Sequence, residues 1–195
     1  MAVPQLTVPR PVAAFLGDSY TTGWAGAGIG KRGWPAIVSS AHGWRIVNRS
    51  VAGTGFVNPG WTGQPVRTRV AAVVKARPGI VFVAAGHNDS RFGRAATAKA
   101  AKAVLHRLRD ALPDAVIVVI GPIWGHGSPP DAIRGIRTEL RRGATSIGAI
   151  FVDPLKDGWF AGVDHRLILG DGIHPSNAGH RRIAGRVLEA LEGLR

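Results

Sequence analysis

Five apolar runs of strand length, separated by stretches of helical periodicity, leave this chain few ways to fold. The runs are Val12–Leu16, Arg45–Ser50, Ile80–Ala85, Ala115–Ile120 and Ala149–Val152. Four of them are nearly continuous in Val, Ile, Ala or Phe, the pattern of strands buried on both faces. Between and after them lie helical patterns. Trp34–His42 is short. Pro65–Ala76 places Val66, Val70, Val73 and Val74 on one face. Ala95–Leu112 carries Val104, Leu105 and Leu108; Asp131–Ser146 carries Ile133, Ile136 and Leu140; Asn177–Leu191 carries Ile183, Val187, Leu188 and Leu191. Strands alternating with helices predict an α/β fold, with about five parallel strands and helices on both faces. No repeat, linker or low-complexity tract interrupts the pattern. With 195 residues, a single domain over 1–195 is expected.

Ligands of such a sheet bind beyond the carboxyl ends of its strands. Four short segments fall there: Gly17-Asp18-Ser19-Tyr20, Ser50-Val51-Ala52-Gly53-Thr54-Gly55, Gly86-His87-Asn88-Asp89 and Asp171-Gly172-Ile173-His174-Pro175. Ser19 follows the first strand, Gly53 the second and Asn88 the third, and Asp171 and His174 lie in the loop before the last helix. Together they supply a nucleophile, oxyanion donors and an acid–base pair, the parts needed for acyl transfer to serine.

Each residue also has a bland reading. Ser19 alone could be an ordinary helix cap. At a strand-to-helix turn it could equally be a nucleophile whose own N–H is free for an anion. Asp171 stands three residues before His174 in a loop bounded by Gly and Pro. A tight loop can bring that carboxylate to Nδ1 and hold the tautomer. The same pair could be half of a metal site. A metal would need a third ligand, and the candidates His126 and His165 lack a partner at ligand spacing, so no metal is expected. Gly53 could be a plain turn, or a point of close backbone approach. Asn88 could be a loop cap, or a donor with two amide hydrogens.

Other chemistries fail on the letters. The chain has no Gly-x-Ser-x-Gly, which removes the α/β-hydrolase elbow. Gly28-Ile29-Gly30-Lys31-Arg32-Gly33 has the spacing of a dinucleotide fingerprint. It sits in a glycine-rich loop well past the strand, and no acidic residue follows at ~20 residues. Arg32 stands where a phosphate-binding P-loop needs Ser or Thr. There is no cysteine, so thiol catalysis and disulfides are excluded.

The net charge is +13, which could mean nucleic acid. The excess is mostly Arg, with Lys only at Lys31, Lys75, Lys99, Lys102 and Lys156, and aromatics do not alternate with it as a stacking platform would. A compositional bias explains it better, and no nucleic-acid partner is expected. One asymmetry stands out. No Asp or Glu occurs between Asp18 and Asp89, while Lys31, Arg32, Arg45, Arg49, Arg67, Arg69, Lys75 and Arg77 all do, a region suited to attracting an anion. No apolar run reaches the ~20 residues of a membrane span. Met1–Pro11 lacks the pattern of a signal peptide. The expectation is a soluble protein, cytoplasmic or a domain of a secreted or larger one.

The four segments, in this order, resemble the blocks of the SGNH hydrolases, also called the GDSL esterase/lipase family, from Gly17 to the final helix. Ser19 matches the nucleophile, Gly53 the second-block glycine, Asn88 the third-block asparagine, and Asp171 and His174 the acid and base. The resemblance implies a flavodoxin-like three-layer α/β/α sandwich. It also implies esterase chemistry without a cofactor, with Ser19, Asp171 and His174 catalytic and Ser19, Gly53 and Asn88 forming the oxyanion hole. It leaves the substrate open among lipids, thioesters, aryl esters and O-acetylated carbohydrates.

Trp24, Trp61, Trp124 and Trp159 fall in loops after strands and are expected near the cleft, where aromatic faces stack on sugars or line an acyl pocket. The first three are taken as substrate-binding candidates. The short chain leaves little room for a lid, which favours short-chain esters or O-acetyl groups of small-molecule, carbohydrate or lipid partners. An acyltransferase using the same residues, and a non-catalytic basic binding module on the same fold, are the alternatives.

Overall fold

The computed structural model describes residues 10–125, 127–162 and 165–192, the side chain of His165 excepted. Five strands form one sheet: β1 (Val12–Gly17), β2 (Arg45–Asn48), β3 (Ile80–Ala84), β4 (Val116–Ile120) and β5 (Ile150–Val152). All pairings are parallel, in the spatial order β2-β1-β3-β4-β5. This is the doubly wound, flavodoxin-like order, in which the chain reverses its direction of travel across the sheet at β1 and β3.

Alternation along the central strands splits the core in two, because successive side chains point to opposite faces. Ala14, Leu16, Val81, Val83, Ile117 and Val119 face one layer; Ala13, Phe15, Phe82, Val118 and Ile120 face the other. Helices α3 (Val70–Lys75), α4 (Arg94–Ala111) and α5 (Asp131–Ser146) cover the first face. Helices α2 (Trp34–Ala41) and α6 (Asn177–Glu192) cover the second. Helix α5 buries Ile133, Ile136, Leu140 and Ala144, a stripe at helical spacing that seals the sheet. On the other side Phe15 stacks on Phe82 at 4.9 Å and meets Trp34 edge-on at 5.2 Å. Strand β2 is the exception among the runs. Arg45, Ile46 and Asn48 are exposed, as expected of an edge strand paired on one side only.

Two local differences matter. The expected helix from Pro65 to Ala76 opens as a 3-10 turn, Val66–Arg69, before α3. Within that turn Arg69 is buried, although it is one of the cations of the acid-free stretch expected to attract an anion; it donates to the carbonyls of Gln64 and Gly17 and to Thr54 Oγ1. It thereby ties the end of β1 to the segment after β2. The second difference is a single helical turn directly after β1, α1 (Ser19–Thr22), too short for periodicity to reveal.

Candidate active site

The segment after β1 folds as it does because Asp18 caps α1. Its Oδ1 accepts the Tyr20 N–H at 3.0 Å, one of the donors a helix start leaves unpaired. Ser19 therefore sits in the first turn, where backbone N–H groups point outward from the strand end. The Asp171–Pro175 loop approaches it from a distance of 155 residues. Asp171 Oδ1 accepts the N–H groups of Ile173 and His174, both at 2.9 Å, and Gly172 takes a φ of +71° that favours glycine. The Tyr20 hydroxyl donates to the Ile173 carbonyl and ties the loop to α1.

These bonds place three side chains in line. Asp171 Oδ2 lies 2.7 Å from His174 Nδ1, and His174 Nε2 lies 3.0 Å from Ser19 Oγ. With the Nδ1 proton facing the carboxylate, Nε2 is the acceptor for the serine hydroxyl. Burial works to raise the Asp171 pKa, but the backbone N–H and imidazole of His174 and the Ile173 N–H outweigh it and hold the carboxyl below its usual value. Trp24 stacks on the His174 ring at 4.8 Å and 21°.

Gly53 takes a φ of +74°, a conformation reserved for glycine, as the chain turns after β2. The N–H groups of Ser19 and Gly53 have no backbone acceptor among the described residues. Asn88 stands in a 3-10 turn, His87–Asp89, after β3. Its Nδ2 donates to the Thr54 carbonyl at 3.0 Å, and a longer contact of 3.4 Å reaches Asp18 Oδ2. One amide hydrogen is thus anchored to the Gly53 segment and the other is only weakly held.

Two carboxylates that the sequence reading passed over hold this arrangement together. Asp89 is fully buried and accepts three backbone N–H groups, those of Phe56, Val57 and Asn58, at 2.7–3.0 Å. Gly55 makes the approach possible: a Cβ there would lie 2.3 Å from Asp89 Oδ1. Asn58 Nδ2 in turn donates to the Asn88 carbonyl. Asp18 is the second. Burial pushes its pKa up to about 7, against the Tyr20 N–H and with help from nearby Asp89. Burial also raises Asp89, opposed by its three N–H donors. Both residues lie inside the segments already singled out, so their letters were visible. Their inward orientation was not.

His87 was likewise unassigned. It packs between Tyr20 and Trp124, each 5.1 Å from its ring, with Nδ1 3.1 Å from the Ile123 carbonyl. Burial lowers its pKa, and the contact to Ile123 only partly offsets this. A small cleft of about 100 Å³ opens between Tyr20, His87, Trp124, Gly125, Gly172 and Ile173.

Trp24, Trp61 and Trp124 all reach this end of the sheet. Trp61 leans on Trp24 at 5.7 Å and remains 83% exposed. Trp159 does not. It is buried in the second core layer with Phe160 and Ile183, and its carbonyl accepts from Arg182 of α6. Loop packing overrides the expectation for Trp159, because the turn after β5 folds under α6 instead of over the strand ends. His126, considered as a metal ligand, lies outside the described residues, as does the His165 side chain. Among the described residues no three His, Asp or Glu side chains converge as a metal group would require.

Comparison with known proteins now bears on this geometry. A model of the GDSL-like lipase/acylhydrolase family matches residues 15–182. A GDSL lipase of Mycobacterium tuberculosis is 33% identical over 187 residues, covering 91% of this chain and 80% of that protein. Among solved structures, TesA superposes with a TM-score of 0.75 at 21% identity, over 94% of this chain and 99% of that one. An acetylxylan esterase from Geobacillus stearothermophilus gives 0.74 at 19% identity, over 93% and 94%. The two structural likenesses establish a shared fold.

Proposed function

The chain belongs to the GDSL-like lipase/acylhydrolase family and is a carboxylic ester hydrolase, and from that premise we propose that Ser19 forms an acyl-enzyme with short-chain esters or O-acetyl groups. The observation that carries this reading is the line from Asp171 through His174 to Ser19 Oγ, at 2.7 and 3.0 Å. These are the distances of a base bonded to its nucleophile and held by a third group.

The steps follow from the geometry. Ser19 Oγ attacks the ester carbonyl while its proton passes to His174 Nε2. Asp171 stabilises the imidazolium through Nδ1–H. The oxygen of the tetrahedral intermediate takes the negative charge between the Ser19 and Gly53 N–H groups and Asn88 Nδ2. The C–O bond to the alcohol breaks, and the Nε2 proton goes to that alkoxide. Water then gives a proton to His174, attacks the acyl-enzyme, and Ser19 Oγ leaves as the protonated hydroxyl.

The small cleft of about 100 Å³ beside Tyr20 and His87 has the size of a short acyl group. We read residues 1–195 as a single hydrolase domain of this family. No helix among the described residues is long and apolar enough to cross a membrane. The deciding experiment is labelling with a fluorophosphonate, mapped by mass spectrometry, beside rates on p-nitrophenyl esters of increasing acyl length. A label on Ser19 and a rate falling with chain length is expected. A label on another serine of active enzyme would sink the assignment.

A further inference from the structure

An open groove runs from the Gly53 and Asn88 edge of the site, walled by Trp61, Phe92 and Trp124, and Arg91 lies along it. Trp61 and Phe92 present 83% and 40% of their surface to solvent, so both rings are open to a ligand lying in the groove. Arg91 is exposed and makes no hydrogen bond or ion pair among the described residues. Among the described residues it is the one formally charged side chain lining the groove. The adjacent carboxylate, Asp89, faces inward and is occupied by three backbone N–H groups. The other arginines beside carboxylates, such as Arg94, Arg137 and Arg141, are paired.

From this juxtaposition we propose that the groove is a subsite for an acidic sugar, stacked on Trp61 and Phe92 with its carboxylate on Arg91. The substrate class is then an O-acylated uronic-acid-containing oligosaccharide, a reading that rests on the ester hydrolysis proposed above. Three features favour it. Exposed aromatic faces bind the apolar faces of sugar rings. A guanidinium takes a carboxylate through two parallel charge-assisted hydrogen bonds, stronger than those it makes to the hydroxyls of a neutral sugar. Between Asp18 and Asp89 there is no acidic residue, and the exposed Lys31, Arg32, Arg49 and Arg67 lie in the segments that follow β1 and β2, so the local field draws anions toward this end of the sheet.

The test compares short O-acetylated oligogalacturonides with the same oligomers methyl-esterified at their carboxyls, and with p-nitrophenyl acetate. The wild-type protein is expected to prefer the free acid in kcat/KM by about five- to tenfold at low salt. That preference should shrink toward one at about 0.5 M salt, where exposed charges are screened. Arg91→Gln should abolish the preference and Arg91→Lys keep part of it. Trp61→Ala should raise KM for acid and methyl ester alike, which separates stacking from charge. Equal kcat/KM for the two oligomers, or a preference that survives in Arg91→Gln, overturns the subsite. So does turnover of p-nitrophenyl acetate with no turnover of either oligomer, which leaves ester hydrolysis standing. No turnover of any of the three removes both readings.

Discussion

Ser19 and His174 meet at 3.0 Å, but neither orients itself. Asp171 accepts both the imidazole and two backbone N–H groups, so one carboxylate shapes the loop and directs the ring. Asp171→Asn keeps the shape approximately and removes the charge. Turnover should fall by up to ~10⁴ with KM changing far less, as expected for a group that stabilises imidazolium. Near wild-type turnover would mean that another group holds His174. In the proposed mechanism Asn88 serves the oxyanion and not the base. Asn88→Ala should cost ~10²–10³ in turnover, the size of one lost oxyanion donor. Steady-state kinetics on one activated ester checks it: a raised KM with unchanged turnover would assign Asn88 to substrate binding alone.

At the level of elements, the site is assembled by loops that follow β1, β2 and β3 and are bolted to one another through buried polar groups. Asp89, after β3, holds the segment that carries Gly53, and Gly55 leaves room for its carboxylate. Gly55→Ala should therefore displace that segment. A loss of about 1–3 kcal/mol in denaturant unfolding is expected, the usual cost of overpacking a filled interior. Turnover should fall with it, because the Gly53 N–H moves with the loop. Stability and activity both at wild-type level would show that the loop absorbs the methyl without shifting. Arg69 does a similar job beneath, bridging Gly17, Thr54 and Gln64. The surface strand β2 contributes its connection more than its own packing.

Across the whole molecule, buried histidines and buried carboxyls set opposite pH slopes on stability, with His180 and Asp18 shifted furthest. His180 on α6 is fully buried beneath Gly28, and burial lowers its pKa to about 4. Its unfolded value is near 6.5, so below that the unfolded chain binds a proton that the folded one refuses. His180 thus leaves stability intact above pH ~6.5 and erodes it as pH falls toward 4, by about 3 kcal/mol at ~1.4 kcal/mol per pH unit. Asp18 has the reverse sign. Its folded pKa of about 7 lies above the ordinary carboxyl value, so its contribution is present at low pH and lost as pH rises toward 7. The two offset one another over much of pH 4–7. His180→Phe should unmask Asp18: urea unfolding of that variant should show stability falling steadily from pH 4 to 7. A flat profile there would mean that the buried carboxyls, Asp18 foremost, ionise normally in the folded protein.

The amino-acid sequence determined most of the scaffold by itself. Runs such as Ile80–Ala84 and stripes such as Ile133, Ile136 and Leu140 are local patterns, and the periods of strand and helix are written in neighbouring residues. The segments bearing Ser19, Gly53, Asn88, Asp171 and His174 were legible for the same reason: each is contiguous and sits at a predicted strand end or before a predicted helix. Tertiary structure alone decided what depends on packing between distant segments. It brought His174 to Ser19 across the chain, turned Asp89 toward the backbone of Phe56–Asn58, buried Asp18, Arg69 and His180, and sent Trp159 inward while leaving Trp61 in solvent. Burial and charge environment are set by whatever packs against a residue, and no local period records that partner. The identity of a side chain is therefore readable in the sequence, whereas its pKa and the direction it faces are properties of the fold.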